Sequence, residues 1–247
     1  MKPIPYQNNR IAVLSNEVCK SSYQLTVGEH RLIKLYLQSI TNYFDKPIDM
    51  NEPFILGVHY YAGSWGLDFT NARKEIKDAA VGLAKRELYK LGEDKESISF
   101  AHWASYVDYD RSSDTLKLYW SLPILAHISE LKERFTKLDL TEMKDFSSSY
   151  SFRLYEILMC SVGENSYRNP SFEVETLMNM MQVPESYRNF RAFKARVLTP
   201  CTKELRTKTG KFSNLSITEV KQKGSKKVIS LEFNGCGIGN RYKKQVS

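Results

Sequence analysis

The feature that most constrains what this chain can fold into is an internal repeat. A long amphipathic helix reads from about residue 71 to 90, with Ile76, Ala80, Val81, Ala84 and Leu88 on one face. A second reads from about residue 187 to 209. At a fixed shift of 117 positions, Ile76, Ala80, Ala84 and Leu88 fall on Phe193, Val197, Cys201 and Leu205. The same shift lays the strand-like Ile98-Ser99-Phe100 on Leu215-Ser216-Ile217. Each helix precedes two alternating runs separated by turn chemistry, which predicts a β-hairpin. The first hairpin spans 97–109 and 115–122 around Asp110-Arg111-Ser112-Ser113-Asp114. The second spans 215–221 and 227–233 around Gln222-Lys223-Gly224-Ser225-Lys226.

Shorter elements precede each long helix. In the first half, residues 10–18 read as a strand-like or irregular piece. Thr26 and Glu29 then form a capping box ahead of Leu32, Ile33, Tyr36, Leu37 and Ile40 at helical spacing. A looser stretch with Pro47, Pro53 and Gly57 ends in the breakers Gly63-Ser64-Trp65-Gly66, and Gly92 separates the long helix from the hairpin. In the second half, 150–158 is a helix, 172–174 an extended piece and 175–181 a short helix. Short helices, a long helix and a hairpin are the order of a winged helix-turn-helix, whose long helix enters the major groove while the wing touches flanking backbone. The expected fold is therefore α+β: two tandem winged helix-turn-helix domains related by an internal pseudo-repeat. They occupy residues 1–140 and 146–247, with the join near 140–148. A length of 247 residues suits two domains of about 100–150 residues.

Charge separates the halves. Residues 1–145 carry 19 basic and 20 acidic side chains, and the remainder carries 17 and 8, so the whole excess of positive charge lies in the last 102 residues. A domain that basic suits a polyanion, and nucleic acid is the commonest one. No apolar run approaches the roughly 20 residues that span a bilayer, and the N-terminus lacks a signal-peptide core. The expectation is a cytoplasmic protein with no membrane partner. Cys19, Cys160, Cys201 and Cys236 are far apart, with no Cys-x-x-Cys pair, so they read as reduced apolar residues, with no metal and no cofactor.

On a wheel of the second long helix centred on Phe190, the residues Phe193, Val197, Leu198, Cys201 and Leu205 form a core stripe. The opposite side carries Arg188, Ala192, Ala195, Arg196, Thr199, Thr202, Lys203 and Arg206. Arginine can bond guanine in bidentate fashion, threonine can meet a base edge or a thymine methyl, and alanine leaves room. Arg191 and Lys194 border the stripe, where phosphates would lie. Glu204 is the one acid in this helix, so few internal ion pairs account for its charge. Pro200 predicts a kink. The wing adds Lys221, Lys223, Lys226 and Lys227, suited to gripping phosphates without reading sequence. Asn240-Arg241-Tyr242-Lys243-Lys244 reads as a basic tail. In the first half Arg73, Lys74 and Lys77 are candidate auxiliary DNA contacts, interleaved with Glu75 and Asp78. The aromatics Phe100, Trp103, Tyr106, Tyr109, Tyr119 and Trp120 serve either a core or a dimer seam.

Several blocks carry a family resemblance. They are Tyr23-x-Leu25-Thr26-x-x-Glu29-x-Arg31-Leu32, Phe135-Thr136-x-x-Asp139-Leu140 and Ser149-Tyr150-Ser151-x-Arg153-Leu154-Tyr155-Glu156-x-Leu158. With them goes Phe190-x-x-Phe193-Lys194-x-Arg196-Val197-Leu198-x-Pro200-x-x-x-Glu204-Leu205. Over roughly residues 10–233 the chain resembles the iteron-binding plasmid replication initiators of theta type. That resemblance implies a sequence-specific protein binding repeated origin elements in double-stranded DNA. It also implies a homodimer in equilibrium with monomer, and repression of its own gene by the dimer. The N-terminal domain would mediate dimerisation and add a second DNA contact. A host replication initiator and helicase would be its protein partners, and it would not be an enzyme. Cys201 stands where the family more often has alanine.

Four other readings make different demands. A nicking initiator needs paired histidines to hold a metal beside the scissile phosphate, and His30, His59, His102 and His127 include no His-x-His pair. An ATPase needs a Gly-x-x-x-x-Gly-Lys-Ser/Thr loop, which is missing from the sequence. A plain winged-helix transcriptional regulator would bind an operator but no tandem repeats, and a non-specific scaffold would not distinguish origin from random DNA.

Overall fold

The computed structural model describes residues 10–41, 52–91, 97–129, 135–163 and 169–236. The basic tail at 240–244, Pro47 and Gly92 lie outside the described residues. The chain divides into two compact units, Met1–Lys144 and Asp145–Ser247.

The first unit opens with β1 (Ile11–Ser15) and a one-turn helix α1 (Asn16–Lys20), so the strand-like reading of 10–18 holds only to Ser15. The Ser15 hydroxyl accepts from the Val18 N–H at 3.2 Å and starts the helix there. Helix α2 (Val27–Thr41) begins at the expected capping box. Glu29 accepts from the Thr26 N–H at 2.7 Å, and Thr26 Oγ1 accepts from the Glu29 N–H at 3.2 Å. Next come β2 (Phe54–Gly57), α3 (Val58–Trp65) and α4 (Phe69–Leu83). The unit continues with β3 (Glu87–Leu91), β4 (Ile98–His102), β5 (Ala104–Asp110) and β6 (Thr115–Trp120). It ends with α5 (Leu122–Ser129), β7 (Phe135–Asp139) and α6 (Leu140–Met143). Antiparallel pairing of β1 with β7, Ile11 opposite Asp139, ties the start of the unit to its end. A core of Leu32, Leu37, Tyr61, Trp65, Ile76, Ala80, Leu83, Trp103, Leu116 and Leu118 fills the space between helices and sheet.

The stretch read as loose loop around Pro53 to Gly66 is in fact β2 and α3. Their apolar side chains Phe54, Leu56, Val58, Tyr61 and Trp65 are buried, and Gly63 inside the helix has open space around it. Burial of that face outweighs the breaker composition.

The first long helix stops at Leu83 instead of running to 90. Lys85 N–H bonds the Gly82 carbonyl in a tightened last turn, and residues 87–91 then pair with β4, Leu88 opposite Ala101. Leu88 is buried as expected, but in a strand. An inward position every four residues in a helix and every two in a strand puts the same leucine inside, so periodicity could not tell the two apart.

The second unit contains α7 (Ser149–Val162), β8 (Ser171–Glu173), α8 (Val174–Met180) and a 3-10 turn at Glu185–Tyr187. A helical segment follows in three parts: α9 (Phe190–Phe193), a π-helical stretch Lys194–Leu198, and α10 (Thr199–Lys208). The wing is β9 (Ser216–Lys221) with β10 (Val228–Asn234).

Both units are winged helices with the same sheet plan. The second wing strand lies in the centre, giving the orders β2-β6-β5 and β8-β10-β9. The repeat is real in topology but not at a constant 117-residue shift. The pair β3–β4 is inserted between α4 and the first wing, so Ile98-Ser99-Phe100 belongs to β4, while the counterpart of β9 is β5. The expected first hairpin strand, 97–109, is accordingly two strands, each paired with a different partner.

Glu29 does more than cap. It is buried, lies 3.3 Å from Arg86 Nε, and packs against Gly82, where an added Cβ would overlap its carboxylate. Alanine for glycine in a helix ordinarily gains about 1 kcal/mol. Here Gly82→Ala is expected to lower stability by about 1–2 kcal/mol. The buried Glu29 carboxylate is displaced from the Thr26 N–H and Arg86, which costs about 1–3 kcal/mol for one buried group left without its partners. Urea denaturation reads the sign directly.

Candidate nucleic-acid interface

The basic helix is capped by Asn189, whose side chain accepts from the Ala192 N–H at 2.9 Å. It therefore starts at Phe190, later than the expected 187. Phe193, Val197, Leu198, Cys201 and Leu205 are buried as one stripe, but Phe190, placed at its centre by the wheel, is only half-buried. Pro200 does not end the helix. It has no N–H to give to the Arg196 carbonyl, and its ring would crowd that oxygen. The preceding turn widens to π geometry, with the Thr199 N–H bonded to the Lys194 carbonyl five residues back. Where a kink was expected, the proline is accommodated by a π-bulge. Burial pushes the Cys201 thiol up to about 12, which makes it an inert part of the packing.

On the outer face Arg191, Lys194, Ala195, Arg196, Thr199, Lys203 and Arg206 are exposed, and Thr202 is half-buried with its hydroxyl donated to the Leu198 carbonyl at 2.7 Å. The Arg196 guanidinium lies 5.6 Å from the centre of the Tyr187 ring, so a cation–π contact holds it in place. Lys194 Nζ is 2.6 Å from Glu219 on β9. A groove of about 470 Å³ separates this helix from β9. Its apolar lining comes from Leu198, Leu215, Ile217 and Leu231, its cations are Lys194, Lys203 and Arg206, and Glu219 is its one acid. Lys221, Lys223, Lys226 and Lys227 are all exposed at the end of the wing. The turn is closed by Gln222 N–H to the Lys227 carbonyl at 2.9 Å, with Gly224 at φ +73°, a conformation glycine adopts without strain.

Arg188 is not part of this face. It precedes the helix and reaches back to α8: Nη1 donates to Glu175 at 2.6 Å, Nη2 donates to Asn179, and Nε donates to the Val183 carbonyl at 3.3 Å. The wheel placed it outward because it assumed a helix beginning at 187.

In the first unit the candidate cations separate the same way. Lys74 and Lys77 are exposed on α4. Arg73 instead donates to Asp114 in the wing turn at 2.5 Å and lies over the Phe69 ring at 4.8 Å. Tyr109 donates to the other oxygen of Asp114 at 2.9 Å, and the Arg73 hydrogen bond holds that carboxyl below its usual range. Arg73 thus joins helix to wing. Of the hairpin aromatics, Trp103 and Trp120 are core, while Phe100 and Tyr106 are exposed.

Tyr187 and Glu219 were not singled out from sequence. Glu219 is the one acid in β9, a signal that was available; the stacking of Tyr187 under Arg196 left none. Among the described residues, no group of three or more His, Cys, Asp or Glu is placed to hold a metal ion, and no helix is long and apolar enough to cross a membrane.

Comparison with known proteins agrees with this architecture. The family model of the initiator replication protein WH1 domain matches residues 11–159, and that of the initiator Rep protein WH2 domain matches 173–234. The chain is 25% identical over 205 residues to a replication initiation protein of Escherichia coli, covering 82% of this chain. It spans 63% of that relative's length. It also resembles the crystal structure of the Pi initiator protein in complex with iteron DNA, at a TM-score of 0.75 and 19% identity, over 92% of this chain and 97% of that one.

Proposed function

Since the chain belongs to the initiator replication protein family, with both its WH1 and WH2 domains matched, we propose that it initiates plasmid replication by binding repeated elements of the origin. The observation that carries this reading is the continuous helix of residues 190–208. It turns a buried apolar stripe inward and Arg196, Thr199, Lys203 and Arg206 outward, beside a wing bearing four exposed lysines. The helix enters the major groove and the wing lies along flanking phosphates. Lys74 and Lys77 on the first unit's long helix supply the auxiliary contact. The protein acts by binding, with a host initiator and helicase recruited to the opened origin. As a dimer it represses its own gene, with β4 as the seam: Ile98 and Phe100 share one face of that strand and are 65% and 64% exposed.

The test is selection of bound fragments from a random DNA pool by the full chain at about 150 mM salt, near physiological ionic strength. A directional motif repeated in tandem beside the gene supports the initiator. A palindrome alone makes the protein an operator-binding regulator, and no enriched motif overturns sequence-specific binding. Lys223→Ala and Lys226→Ala are expected to weaken selected and random duplexes alike, reducing the salt slope by about 0.9 per lost phosphate contact. Titration at several salt concentrations measures it.

A further inference from the structure

The wing carries an apolar side chain that its packing does not explain. Pairing of β10 with β9 runs in regular register from Asn234 opposite Ser216 to Ser230 opposite Val220, and then shifts, so that Val228 faces Lys221. Ile229 is the extra residue of this bulge. Leu231 and Phe233, further along the strand, are fully buried, whereas Ile229 is 42% exposed. Its surroundings in sequence are cationic: Lys221, Lys223, Lys226 and Lys227 are exposed, and no acid occurs from Val220 to Leu231. Bulges re-aim side chains and increase local twist. Here the bulge puts an exposed branched hydrocarbon two residues after the turn lysine Lys227, near the end of the wing that would meet the duplex.

We propose, resting on the DNA-binding reading above, that Ile229 enters the minor groove beside the major-groove site of the basic helix and reads that step as A·T. The lysines supply what brings this surface to a duplex, since their charge is complementary to phosphates on both sides of a groove. The minor groove is about 6 Å wide, and its A·T floor presents only acceptors, whereas G·C adds the guanine amino group. That amino group stands where the isoleucine would seat, and burying it against a hydrocarbon leaves a donor without a partner. An apolar side chain in this groove also widens it and bends the duplex towards the major groove.

The experiment uses the full chain and a duplex carrying the selected motif. The base pair under the wing is set in turn to A·T, G·C and I·C, inosine lacking the amino group. The wild-type protein is expected to bind G·C about fivefold or more weakly than A·T, the low end of the cost of one altered pair, and I·C like A·T. Ile229→Ala is expected to bind all three alike and to bend the duplex less by fluorescence energy transfer between its ends. Lys223→Ala is expected to keep the discrimination and lose affinity throughout. If Ile229→Ala keeps the wild-type preference and bend, or changes only the oligomeric state, the inference is wrong. If the wild-type protein selects no motif at all, the DNA reading fails before this one is reached.

Discussion

Glu156→Ala is expected to destabilise the second unit by about 3–5 kcal/mol, the cost of leaving a buried charge without its partner. Arg153 and Glu156 face each other on α7 at 3.1 Å, with side chains 2% and 0% exposed. Arg153 Nε also donates to the Met180 carbonyl at 3.2 Å, which satisfies the C-terminal end of α8. Truncating the carboxylate keeps the guanidinium inside the core and removes a buried countercharge 3.1 Å from it. A loss of that size is a large part of the stability of a typical domain, about 5–15 kcal/mol. Circular dichroism in urea is the measurement, because the three tryptophans, Trp65, Trp103 and Trp120, all lie in the first unit. Glu156→Gln, which keeps a shape and a hydrogen-bonding oxygen, should cost less. The double change Arg153→Met with Glu156→Leu should recover much of the loss, since a well-packed apolar pair often matches a buried ion pair. If Glu156→Ala shifted the transition no more than a surface change does, about 0.5 kcal/mol, the pair would not be the internal brace described here.

This pair shows where sequence reading stopped. The helices themselves were legible: the Thr26/Glu29 box and the apolar spacing of Leu32, Ile33, Tyr36 and Leu37 are local signals, and the structure has α2 there; that α2 and α7 are buried on all sides was not legible. What the charges do was not legible. From sequence Glu29 reads only as a helix cap, and Glu75 only as an acid interleaved with the cations of its helix. Yet Glu29 meets Arg86 in the connection after α4, and Glu75 meets Arg31 of α2 at 2.9 Å and the Tyr61 hydroxyl of α3 at 2.6 Å. Charge counting finds a basic domain but cannot say which cations already have partners within the fold. Arg73 joins Asp114 across 41 residues and Arg188 joins Glu175 across 13, so both fall away from the outward set. The constant shift of the repeat failed for a related reason. A residue shift survives only while both copies lack insertions, and the β3–β4 pair sits in one copy alone.

Arg196→Ala is expected to cost about 1–3 kcal/mol on the selected duplex, much less on random DNA, and to broaden the selected motif at one position. The asymmetry with Arg206 follows from where these two outward arginines sit. Ten residues separate Arg196 from Arg206, about 15 Å of helix at 1.5 Å per residue, which exceeds the roughly 12 Å width of the major groove. One helix lying in that groove puts its N-terminal half at base edges and carries its far end to the backbone. Arg196 belongs to the first half, stacked on Tyr187, which orders the guanidinium before DNA arrives and reduces the entropy lost on binding. Arg206 lines the groove against the wing and is exposed, so Arg206→Ala should weaken all duplexes alike and lower the salt slope by about 0.9. At that separation the two losses should add, and the double variant should lose about 2–6 kcal/mol on the selected duplex if each contributes about 1–3 kcal/mol. Fluorescence anisotropy on selected and scrambled duplexes separates the two roles. Equal losses on both duplexes for Arg196→Ala would remove base reading from this half of the helix. The readout would then move to Thr199 and Thr202, one turn further on and past the π-bulge that carries the helix through Pro200.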